Sequence, residues 1–379
     1  MDLEFSAEQE MIRKMVRDFA QKEVAPIAAE IDEQGVVPFE NIRKMASLGL
    51  LGLIIPEEYD GGGADMISYV IAIEELSKAC ASTAIVVAVQ NSLVAAGIER
   101  FGTEAQKNAY LPPLARGEKI GAFALTEPGA GCDASALLTT AVREGDEYVI
   151  NGRKHFITNG GFADLIVLLA MTDKSQGHRG ITAFLVEKGT PGFFPGKEEH
   201  KMGIRGTNTS ELIFDAVRIP EANRLGDEGQ GFRIAMTVLD GGRIGVAAQA
   251  IGIAQAAYEA ALEYSKQRTQ FGKPICEFQA IQWMLADMAT RIEAARLLVY
   301  KAALAKESGA RFSKEAAMAK VYASEMATWV ADRAIQIHGG YGYMKEYPVE
   351  RHYRDAKITE LYEGTSEVQR MVIARSILS

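Results

Sequence analysis

Tyr148-Val149-Ile150-Asn151-Gly152 is the segment that decides the fold, because it marks a β-rich region between two helical ones. Aromatic and β-branched residues favour a strand, and the Asn-Gly that follows them favours a type I′ hairpin turn. Short apolar runs at 165–170, 181–186 and 212–214 repeat the pattern without helices between them. Such strands predict a small antiparallel β-barrel or sandwich over residues 121–235.

The chain is predicted to be helical on both sides of this region. Ser6 and Gln9 form a capping-box pattern at the start of an apolar stripe, and residues 67–89 and 91–101 are expected to be buried helices. Four long stretches predict a C-terminal helix bundle, and these are 243–267, 277–306, 313–338 and 352–377.

We therefore expect an α+β fold of three domains: an N-terminal helical domain (1–120), a middle β domain (121–235) and a C-terminal four-helix bundle (236–379). A large flat ligand is expected between the last two, because domain interfaces are favoured binding sites.

The composition is that of an ordinary globular protein and argues against several classes of partner. A net charge of −9 disfavours a nucleic-acid partner, which needs a basic face. The three widely spaced cysteines imply no disulfide framework and a reducing cytoplasm, and no two of the five histidines have the spacing of metal ligands on a helix. The N-terminus, Met1-Asp2-Leu3-Glu4, shows no signal peptide, and no apolar run long enough for a membrane span is expected.

A carboxylate precedes a glycine in Tyr362-Glu363-Gly364-Thr365-Ser366-Glu367, near the end of the helical C-terminal third. Glycine is unfavourable inside a helix by about 1 kcal/mol, and it allows a backbone to approach a ligand closely. Glu363 is therefore a candidate general base. An exposed glutamate before a helix break explains the same pattern, and this motif alone does not separate the two interpretations.

Two segments of the β region are candidates for binding a ring or a phosphate. The loop from Phe123 to Asp133 exposes backbone N–H groups, although it could be an ordinary turn. Phe156-Ile157-Thr158 offers an aromatic ring and a hydroxyl, unless Phe156 belongs to the core. The strand–GxGxxG–helix context is lacking, so a Rossmann site is not supported.

Three segments of the predicted bundle carry groups that suit anions. Asp240-Gly241-Gly242-Arg243 is expected to open the first bundle helix, where the N-terminus favours an anion or a carbonyl oxygen. Residues 268–272 end that helix with Arg268 for a phosphate and Phe271 for stacking on a purine. Residues 336–340 end the third helix, where two glycines either admit a pyrophosphate or cap the helix.

Together these segments resemble the acyl-CoA dehydrogenase family, in order and spacing, over essentially the whole chain. The resemblance rests on Leu125–Pro128 with Gly131–Asp133, Phe156–Thr158, Arg268 with Gln270–Gly272, Gln336 with Gly339-Gly340, and Tyr362–Thr365. It is strongest to the short-chain, butyryl-CoA-type members, through Leu239-Asp240, Arg243–Gly245 and Arg351–Asp355.

The resemblance implies non-covalent FAD, an acyl-CoA substrate, an electron-transfer flavoprotein as electron acceptor, and a homotetramer. The residues implied to contact FAD are Phe123, Leu125, Thr126, Gly131, Cys132, Phe156, Ile157, Thr158, Arg268, Phe271, Gln279, Gln336, Gly339, Gly340, Thr365 and Glu367. Among them, Arg268, Gln279 and residues 336–340 are implied to reach the FAD of a neighbouring subunit. The residues implied to contact the substrate are Cys132, Asp240, Gly242, Arg243, Tyr362 and Gly364.

In the family's reaction a carboxylate removes the substrate α proton while the β hydrogen leaves as hydride to the flavin. The resemblance makes Glu363 that carboxylate, and it implies that the Glu363 backbone N–H and a flavin ribityl hydroxyl hold the thioester oxygen. In some members the base stands immediately before the arginine of the first bundle helix, where this chain has Gly242.

Three positions depart from the family pattern. Cys132 stands where serine is usual, Phe156 stands where tryptophan is usual, and Gly241-Gly242 is unusually small for a pocket wall. The small wall makes a branched or cyclic acyl group a rival to straight butyryl. A flavin oxidase and a non-catalytic acyl-CoA-binding protein are the alternative functions on the same fold.

Overall fold

The computed structural model describes residues 4–378, and α-helices form its N-terminal part. Ser6 caps the first helix in a capping box with Gln9, as predicted. Residues 1–3, on which the prediction of no signal peptide depends, lie outside the described residues. The helices are α1 (Ala7–Phe19), α2 (Ala28–Gln34), α3 (Phe39–Ser47), α4 (Met66–Ala79), α5 (Ala81–Ala88), α6 (Ala96–Phe101) and α7 (Glu104–Ala115).

The single helix predicted over residues 67–89 is interrupted at Cys80, whose backbone is extended between α4 and α5. After this residue the chain stays helical through α5, a π-helical segment (Val89–Ala95) and α6. This stretch, Ala81–Phe101, is long and apolar enough to cross a membrane, a property that the sequence analysis did not expect. However, 94% of its most apolar window is buried inside the protein, where it packs in the core.

The middle part is one eight-stranded sheet, mostly antiparallel, in the order β6-β7-β3-β2-β4-β5-β8. β1 lies beside β4 and pairs with it in parallel. An apolar cluster on one face of this sheet is separate from the main core, which the other face shares with the helices. The strands are β1 (Gly121–Ala124), β2 (Thr140–Glu144), β3 (Glu147–Thr158), β4 (Leu165–Met171), β5 (Ile181–Glu187), β6 (Phe193–Glu198), β7 (Thr209–Pro220) and β8 (Arg224–Leu225).

The hairpin turn predicted at Asn151-Gly152 is wrong, because β3 continues through both residues to Thr158. The turn lies between β2 and β3 instead, where Gly145 has a φ of 68°. Gly152 marks a shift in the pairing of β3 with β7. A Cβ at Gly152 would lie 2.4 Å from the Thr139 hydroxyl, so the glycine is needed for close approach and not for a turn.

Five α-helices form the C-terminal part in the described chain: α8 (Gly231–Gln267), α9 (Gln279–Glu307), α10 (Ser313–His338), α11 (Val349–Thr359) and α12 (Ser366–Leu378). A short two-stranded ribbon, β9 (Thr269–Gln270) with β10 (Lys273–Pro274), joins α8 to α9. The small residues of α8 allow close packing, because a Cβ at Gly252 would lie 2.4 Å from the Glu74 carbonyl oxygen of α4. The division into domains at residues 120 and 235 stays a prediction.

Two details of the predicted bundle are wrong. Residues 240–243 do not open α8, since the helix begins at Gly231 and has completed two turns before them. The fourth predicted stretch, 352–377, is two helices separated by a break at 360–365. This break carries Glu363.

Candidate active site

Glu363 occupies a strained position in the break between α11 and α12. Its φ is 52° and that of Gly364 is 95°, and a positive φ is uncommon for a residue with a side chain. Three side chains hold this backbone: Arg243 Nε donates to the Glu363 carbonyl at 3.4 Å, Lys320 Nζ donates to the Gly364 carbonyl at 2.7 Å, and Gln369 Nε2 donates to the same carbonyl at 2.9 Å. Such strain persists only where the surroundings determine it, and here it directs the glutamate inwards.

The carboxylate of Glu363 is buried without a hydrogen bond to its Oε2 atom from any described residue. Burial raises its pKa to about 7, against the opposing effect of the charges on Arg243 and Lys320. A carboxylate with a pKa near neutrality is suited to accept a proton, and an unpaired buried oxygen is available to do so. An exposed glutamate before a helix break, the alternative from the sequence, does not describe this residue.

Gly242 makes room for this carboxylate. A Cβ at Gly242 would lie 2.1 Å from Glu363 Oε2 and 2.8 Å from the Leu93 side chain. A Cβ at Gly241 would face the Lys306 ammonium instead, at 3.1 Å. The space left by Gly242 is therefore filled by the glutamate, so this glycine does not widen the pocket wall for an acyl group as the sequence suggested.

We expect Gly242→Ala to displace the Glu363 carboxylate and to lower kcat by about 10²-fold, since misplacing a catalytic group by about 1 Å costs that much. Steady-state turnover with a short-chain acyl-CoA measures the effect. Gly97→Ala in α6 is the matched control, because its Cβ would meet only Val238 at 3.4 Å, an ordinary contact. Turnover of Gly242→Ala at the wild-type level would contradict the assigned role of this glycine.

A cavity of about 590 Å³ lies in front of Glu363, between the β sheet and the helices. Its apolar walls include Ile85, Val89 and Leu93 of the buried helical stretch and Met236 and Leu239 of α8. The structure gathers around it most of the residues that the sequence singled out, namely Phe123, Leu125, Thr126, Gly131, Cys132, Phe156, Ile157, Thr158, Arg243, Tyr362, Glu363 and Gly364.

The cavity presents an open aromatic face, as a flat ring system requires. Phe156 has a φ of 57°, lies in an irregularity of β3 between Lys154 and Ile157, and is 60% exposed, so it is not a core residue. Thr126 and Thr158 supply hydroxyls to the same cavity. These residues fit a flat heteroaromatic group with a polar edge. In contrast, no three or more His, Cys, Asp or Glu side chains of residues 4–378 are grouped to hold a metal ion.

A buried ion pair, which the sequence analysis missed, fixes the loop on this side of the cavity. Lys154 Nζ donates to Glu127 Oε1 at 2.7 Å and to the Leu125 carbonyl at 3.0 Å, and neither side chain is more than 5% exposed. Glu127 also accepts the N–H groups of Leu138 and Thr139, at 2.6 and 3.0 Å. Burial lowers the pKa of Lys154 to about 8 against the opposing pull of Glu127, so the lysine remains a cation at neutral pH. The one feature of the sequence that could have indicated this ion pair is a lysine, Lys154, within a predicted strand region.

Three further predicted site residues, Thr365, Asp240 and Glu367, lie beside the cavity without lining it. The Thr365 hydroxyl lies 3.8 Å from the thiol of Cys132, which does line the cavity, and this contact joins the β-domain loop to the start of α12. Asp240 bonds to Arg243 at 2.5 Å and to Ser313 at 2.5 Å, so it positions the arginine. Glu367 lies in the first turn of α12, four residues after Glu363, and is exposed.

The remaining predicted residues lie apart from Glu363 within the chain. Arg268, Gly339 and Gly340 line a second cleft of about 430 Å³ with Tyr264, His338 and Tyr341. Phe271, Gln279 and Gln336 are exposed, Phe271 to 93%. The structure therefore forms two separate groups from the predicted set, and only the first contains the candidate base.

Family models for the acyl-CoA dehydrogenase N-terminal, middle and C-terminal domains match residues 6–118, 122–217 and 229–378. The chain belongs to the acyl-CoA dehydrogenase family. It is 55% identical, over 377 residues and 100% of both chains, to a short-chain specific acyl-CoA dehydrogenase of Clostridium acetobutylicum.

Solved structures agree with this membership. The chain matches butyryl-CoA dehydrogenase from Megasphaera elsdenii with a TM-score of 0.99, at 54% identity and with 100% of both chains covered. The chain also matches, with a TM-score of 0.99, a structure from a study of the electron transferring flavoprotein of Acidaminococcus fermentans and flavin-based electron bifurcation. The identity is 54%, and 100% of both chains is covered.

These matches confirm the family resemblance, the helix–β–helix fold and FAD as the cofactor. The protein is an oxidoreductase of the acyl-CoA dehydrogenase type, and its activity is that of a short-chain acyl-CoA dehydrogenase. The family is tetrameric. The open face at Phe156 and the threonine hydroxyls are the features of this chain that suit the flavin ring.

Proposed function

We propose that the enzyme converts a short-chain acyl-CoA to the 2-enoyl-CoA with Glu363 as the base, and that electrons pass to an electron-transfer flavoprotein. The observation that carries the proposal is the buried, unpaired Glu363 carboxylate at the wall of a cavity that Phe156, Thr126 and Thr158 of the β region also line. α,β-Dehydrogenation requires a base and a flavin site that border one apolar space.

The residues of the chain account for the proton and for the thioester oxygen. A thioester acidifies its α C–H bond, and Glu363 Oε2 accepts that proton; positioned bases of this kind contribute on the order of 10²–10⁴ in rate. The main-chain N–H of Glu363 donates no hydrogen bond within residues 4–378, so it is available to the thioester oxygen. Bound FAD would supply the acceptor for the hydride that leaves the β carbon.

We propose FAD and substrate contacts for the two groups of residues. Phe123, Leu125, Thr126, Gly131, Phe156, Ile157 and Thr158 would hold the flavin, while Cys132, Thr365 and Glu367 would complete that site. Arg243, Tyr362 and Gly364 would contact the acyl-CoA together with Cys132, and Asp240 would hold Arg243 in place. Arg268, Phe271, Gln279, Gln336, Gly339 and Gly340 would reach the FAD of a neighbouring subunit, a role that their exposure and their position outside the cavity at Glu363 support.

The acyl group is proposed to be short and unbranched. Ile85, Val89 and Leu93 line the apolar part of the cavity, and the space above Gly242 is taken by the glutamate. A branched or cyclic acyl group would need that space, so the structure favours butyryl over the rival that the sequence raised.

Anaerobic bleaching of the bound flavin by a panel of acyl-CoA thioesters tests the function and the acyl preference together. We expect butyryl-CoA to bleach the flavin at least about tenfold faster than 2-methylacyl- or cyclohexanecarboxyl-CoA, because one excess methylene in a closed pocket costs about 1–3 kcal/mol. Equal or faster bleaching by the branched or cyclic thioesters would transfer the assignment to them. No bleaching by any thioester would contradict the function.

Partner and location follow from the family. We propose a cytoplasmic homotetramer that uses an electron-transfer flavoprotein, a partner supported by the matched structural study of that flavoprotein. Turnover that needs an added electron-transfer flavoprotein and releases no peroxide would distinguish this dehydrogenase from a flavin oxidase. A purified protein without colour would instead indicate a non-catalytic acyl-CoA-binding role.

A further inference from the structure

A second unpaired polar atom is buried beside Glu363. The Tyr69 hydroxyl of α4 is fully buried and, like Glu363 Oε2, has no hydrogen-bond partner among the described residues. A buried polar group without a partner is costly, typically about 1–3 kcal/mol, so two of them at one place need an explanation.

Both atoms lie against the same bare face of α8. A Cβ at Gly242 would lie 2.1 Å from Glu363 Oε2, and a Cβ at Gly245 would lie 2.4 Å from the Tyr69 hydroxyl. Residues three apart on a helix have Cβ positions about 5–6 Å apart. The two oxygen atoms contact glycine positions almost one helical turn apart and form no hydrogen bond with each other, so an ordered water between them is the link that this placement favours.

Two other hydroxyls near this point already donate to acceptors: Tyr362 donates to Gln249 Oε1, and Ser92 donates to the Ala88 carbonyl at 2.7 Å. The Ser92 oxygen is an alternative acceptor for the Tyr69 phenol, and the Ser366 hydroxyl lies near Glu325 at the start of α12. Tyr69 is therefore the buried hydroxyl beside Glu363 whose proton is free to be donated towards the glutamate. Burial raises the pKa of Tyr69 well above its usual value, so this hydroxyl keeps its proton and can act as a donor.

We propose that Tyr69 is a positioning residue for the base, donating through one bridging water to Glu363 Oε2 and so holding the carboxylate over Gly242. The water would receive the phenol hydrogen bond and pass one of its own to the carboxylate, which a buried polar site with two facing partners can support. The inference rests on the proposed role of Glu363 as the base.

The consequence is a shift in pH dependence. A hydrogen bond donated to a carboxylate stabilises the anion and lowers its pKa, so removal of the donor raises that pKa. Because the base must be ionised to act, loss of the donor moves the acid limb of the rate profile to higher pH. The charged and titratable groups that face Glu363 are Arg243 of α8, Lys320 of α10, Tyr362 beside it and Tyr69 of α4, and the first three remain in the test variant.

The experiment measures the rate of anaerobic flavin reduction by butyryl-CoA between about pH 5.5 and 9 in the FAD-loaded enzyme. We expect a wild-type acid limb near pH 7, as the pKa of Glu363 suggests. In Tyr69→Phe the acid limb should move up by about one pH unit, so the rate of flavin reduction at the acid end falls about tenfold. The rate on the plateau at high pH should stay within about threefold of the wild-type rate. Tyr110→Phe is the control, because it removes a buried phenol that bonds to Glu187 at 3.0 Å, away from Glu363, and should leave the limb in place.

A limb that stays at the wild-type pH in Tyr69→Phe would overturn the inference, since a purely structural tyrosine would lower the rate equally at every pH. If that variant does not fold or hold flavin, replacement of Tyr69 by 3-fluorotyrosine keeps the shape with a stronger donor. That replacement should move the limb to lower pH, and an unmoved limb would again overturn the inference. Loss of turnover in Glu363→Gln together with an unmoved limb in Tyr69→Phe would reject only the role of Tyr69. A fully active Glu363→Gln would instead reject the function.

Discussion

Glu363→Gln is expected to keep the yellow flavin and the fold while lowering the rate of flavin reduction by butyryl-CoA by about 10²–10⁴-fold. The amide has the shape of the carboxylate but does not accept the α proton. The main-chain carbonyls of Glu363 and Gly364, which Arg243, Lys320 and Gln369 hold, are unchanged by the substitution. The break between α11 and α12 should therefore keep its conformation. Flavin absorbance per subunit and the rate of anaerobic bleaching measure the two halves of this expectation.

Glu360→Gln provides the matched control at the other end of the same break. Glu360 bonds to Thr328 at 2.5 Å and to Lys357 at 2.6 Å, outside the cavity, so its amide variant should bleach at close to the wild-type rate. Bleaching of Glu363→Gln at that same rate would remove this glutamate from the role of base, because no other carboxylate that lines the cavity is unpaired: Glu127 is bonded to Lys154 and to two N–H groups.

The sequence identifies the residues of the candidate site better than the residues that hold them in position. Glu363 stood out because a carboxylate next to glycine in a helical region is a local anomaly, and the loop from Phe123 and the segment at Phe156 stood out for similar local reasons. Each of these signals lies within a few consecutive residues. Their convergence on one cavity agrees with the order of motifs that carried the family resemblance.

The missed features depend on residues far apart in the chain. Lys154 meets Glu127 across 27 positions, and Gly242 and Gly245 meet Glu363 and Tyr69 across far larger separations, so no local pattern indicates these contacts. The same limit explains the errors in the fold. Asn151-Gly152 has the composition of a hairpin turn, but pairing with β7 carries β3 through it, and tertiary pairing outweighs local preference.

The position of Asp240 to Arg243 was misjudged for a related reason. Residues 240–243 are predicted from the sequence to open the first bundle helix, and glycine is a poor helix former. In the structure α8 passes through both glycines because their bare face accommodates Glu363 and Lys306, and burial of the flanking residues holds the helix. This glycine pair thus marks the place where two side chains from elsewhere in the chain pack against α8, and not the end of a helix.

Lys154→Met is expected to lower the free energy of unfolding by about 3–5 kcal/mol, because it leaves the buried Glu127 carboxylate without its cation. The Leu125 carbonyl loses its donor at the same time, and this carbonyl belongs to the loop that borders the flavin side of the cavity. We therefore expect FAD content to fall together with stability. Thermal unfolding of the FAD-loaded enzyme, with flavin quantified before and after, measures both effects.

Two variants show whether burial of the pair is the cause. Arg218→Met breaks a pair of ion pairs on the same sheet, with Glu144 at 2.8 Å and Glu147 at 3.2 Å, but all three side chains are solvent-exposed and the cost should stay below about 1 kcal/mol. Adding Glu127→Gln to Lys154→Met removes the stranded charge while keeping an amide oxygen for one of the N–H donors, so part of the lost stability should return. If the double variant loses as much unfolding free energy as the two single variants together, the charge on Glu127 is not what makes Lys154 necessary. The packing of the lysine side-chain stem against the loop would then explain the loss of stability.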